Sequence, residues 1–515
     1  VSRALVRGSL AAQAPSARQA AETSTNRVRY AAMNVVKLLL AACCGAVVAA
    51  VIAVVLTLNN RPDLSIWHTV ELDEEFSTDA EVQDFAAYLA LEDRLFKQLD
   101  SQVVTKVPTG PAQIVNRFSR GSLSDPQNGP VNWNRTFELE QAEPTAGVLL
   151  LHGLSDSPYS LRALGESLHA QGAAVVGLRI PGHGTAPSGL VDIRWQDMAA
   201  AVRLAARHVR EQVGDKPLYL IGYSNGGALA VDYLLDTLHD DSLPGVTGVM
   251  LLAPEIGVSG SARYAVWQGR LGYLLGLDKM AWVSVKPEYD PYKYGSFAVN
   301  AGDIAYQITM HLQAEITKLQ GSGKLENLPP ILAFQSAADA TVTASALIEH
   351  LFARLPPAGH ELVLFDINRR VEVDFLLKDD PRVTFLPLIT KSDRNYSLTL
   401  VTNGQEGNDR VNAYSLPIGA TAPVSSEELG DWPDNIYSLS HVALPFPPHD
   451  PLYGGPESVK EGTLHLGHLA LRGEHRVLHV TASDIMRLRW NPFFDYVEER
   501  ISHFAGLGGV VPETN

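Results

Sequence analysis

A serine flanked by glycines at two-residue spacing, in Gly222-Tyr223-Ser224-Asn225-Gly226, is the residue with the clearest chemistry to offer. The apolar run Leu218 to Ile221 leads into it, and a helix-like segment opened by Gly227, Ala228 and Ala230 follows. The local reading is strand, sharp turn, helix. At the apex of so tight a turn a serine is held in strained backbone geometry with its hydroxyl above the sheet. Gly222 and Gly226 remove Cβ atoms that would strike the neighbouring strand and helix. A serine hydroxyl is a poor nucleophile at neutral pH. It attacks a carbonyl when a histidine takes its proton and a carboxylate orients that histidine.

The elements that must position such a group alternate regularly. Strand-like Val148 to Leu151 precedes a helix at Ser160 to Gln171, strand Ala173 to Ile180, helix Trp195 to Val213, the strand before Ser224 and strand Gly248 to Leu252. The pattern resumes with Ile331 to Gln335, a helix at Ala344 to Leu355 and strand Glu361 to Asp366. Short apolar runs between longer helical patterns indicate an α/β doubly wound, mostly parallel sheet covered on both faces. Between Pro254 and Asn327 the pattern breaks into an aromatic-rich stretch with Tyr264, Trp267, Tyr273, Trp282, Tyr289, Tyr292, Tyr294 and Phe297. It reads as an inserted lid lining an apolar pocket, or as an ordinary helical subdomain with buried aromatics.

With the serine turn, an upstream His152-Gly153 and a later acid and histidine, the chain resembles the α/β-hydrolase superfamily, nearest its bacterial esterase and monoglyceride-lipase-like branch. The resemblance is good over Ala146 to Val342, looser out to His441, and absent from the first 140 residues. It implies Ser224 as nucleophile and Asp339, just past strand Ile331 to Gln335, as the acid. In simpler members the histidine follows the next strand, but Glu361 to Asp366 runs into Ile367-Asn368-Arg369. The expectation is therefore a β-rich insertion over 370–435 and His441 as the base, at the end of an apolar strand from Ile436; His449 and His360 are the alternatives. The resemblance further implies an oxyanion hole from the backbone N–H groups of Leu154 and Asn225. His152 and Gly153 form the supporting turn, and Pro181-Gly182-His183-Gly184 a backbone turn near the same edge. No cofactor is expected, and no metal-ligand spacing supports a zinc site at His152 or His183.

The remaining chain sets the surroundings. Leu38 to Leu58 carries no charge and is long enough for a membrane-spanning helix. Basic residues precede it and Asp63, Glu71, Asp73, Glu74 and Glu75 follow, which places the N-terminus in the cytosol and the bulk outside, on the periplasmic face in a bacterium. A buried core helix and a cleaved signal around Leu40-Ala41-Ala42-Cys43 are the competing readings. Residues 1–37 form a basic segment whose first 32 residues fit a transit peptide; with Met33 as the start, only the short leader MNVVK remains. A linker and lead-in over 59–140 holds an amphipathic segment around Glu81 to Leu99 and a strand at Thr136 to Leu139. The hydrolase core is expected over 141–253 and 328–369, the lid over 254–327, and the histidine loop with a closing helix at Asn491 to Phe504 over 436–515. Val371 to Asn403 reads as further β structure, and the insertion, with the segment Gly454 to Arg489, as an extra subdomain beside the sheet edge or an interface.

The 515 residues, 46% hydrophobic and 19% charged, describe a globular chain, and a net charge of −16 argues against nucleic acid as a partner. Cys43 and Cys44 are the only cysteines, so no disulfide framework serves the region beyond them. The expected function is a membrane-anchored serine hydrolase cleaving carboxylic esters, acyl esters or lipids. A peptidase or acyltransferase would use the same triad, and a non-catalytic binding protein on the same fold is the reading from another class.

Overall fold

Runs that stay apolar without alternating become strands buried on both faces. The computed structural model describes residues 17–257, 278–369, 377–404, 410–469 and 481–507. In chain order its strands are β1 (Phe137–Leu139), β2 (Ala146–Leu151), β3 (Ala173–Leu178), β4 (Leu218–Tyr223), β5 (Gly248–Leu252), β6 (Trp282–Ser284), β7 (Phe297–Ala298), β8 (Ile331–Ser336), β9 (Glu361–Phe365), β10 (Ser397–Asn403), β11 (Arg410–Leu416) and β12 (Ser425–Asp431). Ten of them make one sheet in the order β1-β3-β2-β4-β5-β8-β9-β10-β11-β12, parallel from β3 to β10 and antiparallel at both edges. β6 and β7 pair separately.

Alternate side chains of the central strands feed two cores. Leu149 and Leu151 pack with the helices Trp195–Val213, Asn225–Asp236 and Val299–Ser322 on one face. Val148 and Leu150 pack with Arg162–Ala170 and Phe494–Phe504 on the other. After β2 the chain lays β3 on one side and then crosses to lay β4 on the other. The strand order thus reverses between β2 and β4, and ligands of open α/β sheets bind in the crevice beyond the carboxyl ends of such a pair.

The lead-in from Asp63 packs onto this sheet through the helix Phe85–Gln102 and through Arg179. Arg179, 1% exposed beyond the end of β3, is held by Glu75 at 2.9 Å and Glu92 at 3.1 Å, so a buried charge is fully paired.

Two expectations need correction. Val371 to Asn403 is not all β: Pro381–Ile389 is helical, with the Asp380 carboxylate accepting from the Arg382 N–H and Pro381 in the first turn; residues 370–376 lie outside the described residues. Within 370–435, β10, β11 and β12 extend the main sheet at its edge beyond β9. Residues 436–441 are an irregular loop rather than a strand. In the aromatic stretch, Tyr264, Trp267 and Tyr273 lie outside the described residues, Trp282 is 1% exposed in the core, and Tyr292 stacks on Tyr159 at 4.1 Å.

Residues up to Pro62 form a separate unit from those starting at Asp63. The helix Ala17–Asn59 includes the segment Arg29–Asn59, which holds an 18-residue stretch of mean hydropathy 2.9 and is long and apolar enough to cross a membrane. Within it Leu38 is 70% and Leu40 61% exposed.

Candidate active site

Ser224 ends β4 and begins the helix Asn225–Asp236, with φ 53° and ψ −117°. A non-glycine residue rarely adopts that φ, and the surroundings hold it there. The Ser224 N–H donates to Leu252 O at 3.0 Å, and its carbonyl accepts from the N–H groups of Gly227 at 2.9 Å and Glu255 at 3.0 Å. The flanking glycines are needed for space. A Cβ on Gly222 would lie 2.4 Å from Gly226 O, and one on Gly226 would lie 2.0 Å from Leu151 O in β2.

His441 reaches the serine from its irregular loop. Its Nε2 is 3.0 Å from Ser224 Oγ, and its Nδ1 is 2.9 Å from Asp339 Oδ2. An ionised carboxylate only accepts, so Nδ1 carries the proton and Nε2 is left to accept from the hydroxyl. Asp339 is buried after β8. Burial alone would push its carboxyl up, but the bond to His441 and the N–H groups of Thr341 at 2.8 Å and Val342 at 3.1 Å hold it below the usual carboxylate range. Gln335 Nε2 adds a bond to Oδ2 at 3.1 Å. Ser224, Asp339 and His441 are thus brought together. His449 is exposed, and His360 sits at the start of β9, the opposite end of the sheet, where it accepts from the Ile331 N–H at 3.1 Å.

Residues 142–368 match the family model described as serine aminopeptidase, S33. Over this stretch the chain is similar to the α/β-hydrolases. Within it, 117 residues are 29% identical to a thermostable monoacylglycerol lipase of Bacillus sp. (strain H-257), covering 22% of this chain and 45% of that relative. The chain thus spans less than half the length of the curated relative it matches. Among solved structures, the monoacylglycerol lipase of Paleococcus ferrophilus has a TM-score of 0.35 at 17% identity, covering 49% of this chain and 97% of that one. A soluble variant of monoglyceride lipase from Saccharomyces cerevisiae has 0.34 at 15% identity, covering 44% and 81%.

The other expected residues fall near the same strand ends. The backbone N–H groups of Leu154 and Asn225 have no hydrogen-bond partner among the described residues. Gly153 packs so tightly that an added Cβ would meet Tyr223 at 3.0 Å and Ser224 Cβ at 3.1 Å. His152 stays away from the relay. Its Nε2 accepts from the Ile180 N–H at 3.0 Å and its Nδ1 lies 2.9 Å from Gly153 O, which ties the end of β2 to the end of β3. That pattern needs the neutral ring, and burial lowers its pKa accordingly. His183 is buried beside it, ring centroids 5.0 Å apart, with its pKa lowered to about 4 by burial. Among the described residues no cluster fits a metal ion.

Several supporting residues escape a reading by motif. Ser336 Oγ donates to Leu439 O at 2.9 Å, and Asn368 donates from its backbone to Tyr437 O at 2.7 Å and from Nδ2 to Ile436 O at 3.0 Å. These bonds pin the His441 loop across the ends of β8 and β9. Glu255 is buried beneath the turn, where burial raises its pKa from 4.5 to about 7 against the bond from Asn225 Nδ2 at 3.2 Å. The Pro-Glu pair after β5 gives no sequence signal for either role.

Proposed function

We propose that the chain is a membrane-anchored serine hydrolase that cleaves carboxylic esters through an acyl-enzyme. The observation that carries this reading is the unbroken relay from Ser224 Oγ through His441 to Asp339, at 3.0 and 2.9 Å, on a turn with φ 53°. Ser224 Oγ attacks the ester carbon as His441 Nε2 takes its proton, and the carbonyl electron pair moves onto oxygen. The N–H groups of Leu154 and Asn225 hold that oxyanion. Collapse breaks the bond to the alcohol, which leaves with the proton from His441. Water then repeats the sequence on the acyl-enzyme, releasing the acid and restoring Ser224. Asp339 keeps the imidazole oriented and stabilises its charged form throughout.

The segment Arg29–Asn59 supports the anchor by length and hydropathy. The lipase name of the Bacillus relative puts monoacylglycerols first among candidate esters. The family description names an aminopeptidase, so amide cleavage is the second reading. The full chain in detergent, assayed on monoacylglycerols and p-nitrophenyl esters of increasing chain length beside amino-acid amides, separates the two. Turnover of esters well above amides is expected; faster cleavage of the amides would assign it to the peptidases.

A further inference from the structure

A charged cavity of about 130 Å³ opens beside the relay, and three of its walls continue from the loops that hold it. Asp156 lies two residues past Leu154, and Val442 follows His441. Arg487 donates from Nη2 to Thr341 Oγ1 at 3.2 Å, in the loop that carries Asp339. Most of the charge in the cavity is matched. Lys293 Nζ meets Asp156 at 3.1 Å, Lys286 Nζ meets Asp484 at 2.7 Å, and Arg489 Nη1 meets Asp290 at 3.3 Å. Arg487 is the remaining cation. It is partly exposed and makes no ion pair within 4 Å among the described residues; Asp484, already paired with Lys286, acts on it only at longer range.

We propose that this cavity takes the alcohol part of the ester and that Arg487 binds an oxyanion on it, a phosphate or a carboxylate. The proposal rests on the hydrolase reading for which part of the substrate lies there. His441 hands its proton to the leaving alcohol, so the alcohol departs on the His441 side, and Val442 carries that side into the cavity. A purely apolar leaving group would strip water from charged side chains and return no bond to them. A guanidinium with one N–H on Thr341 keeps further donors, in the fixed fork that suits two-point binding of an oxyanion. The surplus positive charge supplies the sign, and the small volume suits a headgroup rather than an acyl chain.

Binding and turnover test this separately. Full-length Ser224→Ala protein in detergent, titrated by calorimetry with sn-glycerol 3-phosphate, glycerate and glycerol, is expected to bind at least one of the anions about tenfold or more tighter than glycerol. The tighter of the two identifies the anion. Arg487→Ala in the same background should remove that advantage, and Arg487→Lys should restore part of it. In the active enzyme, the ratio of kcat/KM for a 1-acylglycerol bearing the preferred anion to that for the same neutral 1-acylglycerol should fall about tenfold on Arg487→Ala. Equal binding of anions and glycerol, or a ratio that Arg487→Ala leaves unchanged, would overturn the proposal. Arg487-dependent anion binding without any Ser224-dependent hydrolysis would instead overturn the hydrolase reading and leave the anion site standing.

Discussion

Ser224 and His441 lie 217 positions apart in the chain and 3.0 Å apart in space, so the relay tests long-range folding at single residues. His441→Ala should lower kcat/KM on an ester by roughly 10⁴-fold or more, while His449→Ala, at an exposed position, should leave it within about twofold; steady-state kinetics on both variants decide between them. Asp339→Asn should cost roughly 10⁴-fold in kcat, because an amide in that place favours the wrong tautomer of His441. Glu255 makes a prediction about stability. Below pH 4.5 its carboxyl is protonated in the folded and unfolded chain alike. Above that the unfolded chain releases the proton first, so the folded state loses stability until the pH passes about 7. The loss is about 3 kcal/mol, and Glu255→Gln should abolish it. Denaturant melts of both proteins at pH 4.5 and 7.5 check this, and identical pH slopes would contradict the buried, uncharged Glu255. Among these residues Ser224 was legible because its glycines are local. Gln335, Ser336 and Asn368 were not, because what they do depends on segments far away in the chain.

At the scale of elements, the turn between β4 and its helix works only because β2 runs so close to it. Gly226→Ala puts a methyl group 2.0 Å from Leu151 O, a backbone atom that cannot give way alone. A loss of about 3 kcal/mol or more is expected, read as a large drop in melting temperature or as insoluble protein; an unchanged melting temperature would mean that the turn is not packed as described. The central strands could be read from sequence because a doubly covered parallel strand is a short apolar run between turn residues. Helix Trp195–Val213 could be read because its apolar face repeats at helical spacing. Pro381–Ile389 misled because Val383, Thr384 and Phe385 favour strands, although Asp380-Pro381 is a helix start signal that outweighs them. The His441 loop misled for another reason. Ile436 to Leu439 looks like a strand, but its backbone bonds go to Ser336 and Asn368 instead of to a ladder. Among the described residues three strands and a helix stand between β9 and that loop, yet the loop returns to the sheet end where Ser224 stands, and that return is set by tertiary contacts.

For the whole molecule, the two units make separate claims. The full chain is expected in the membrane pellet, and removal of residues 1–62 should shift it to the soluble fraction with its melting temperature changed by only a few degrees. A truncated protein that still pellets would show that the surface from Asp63 onward binds the membrane by itself. The apolar N-terminal helix was legible from composition alone, whereas the charged cavity at Arg487 was not, because its walls come from segments more than 300 positions apart. The central claim is that Ser224 is the nucleophile and that His441 activates it. Fluorophosphonate labelling of the full chain in detergent, with the adduct located by mass spectrometry, tests it most directly. The account predicts a stoichiometric adduct on Ser224 that Ser224→Ala abolishes and His441→Ala slows by orders of magnitude; no adduct, or one on another residue, would contradict it.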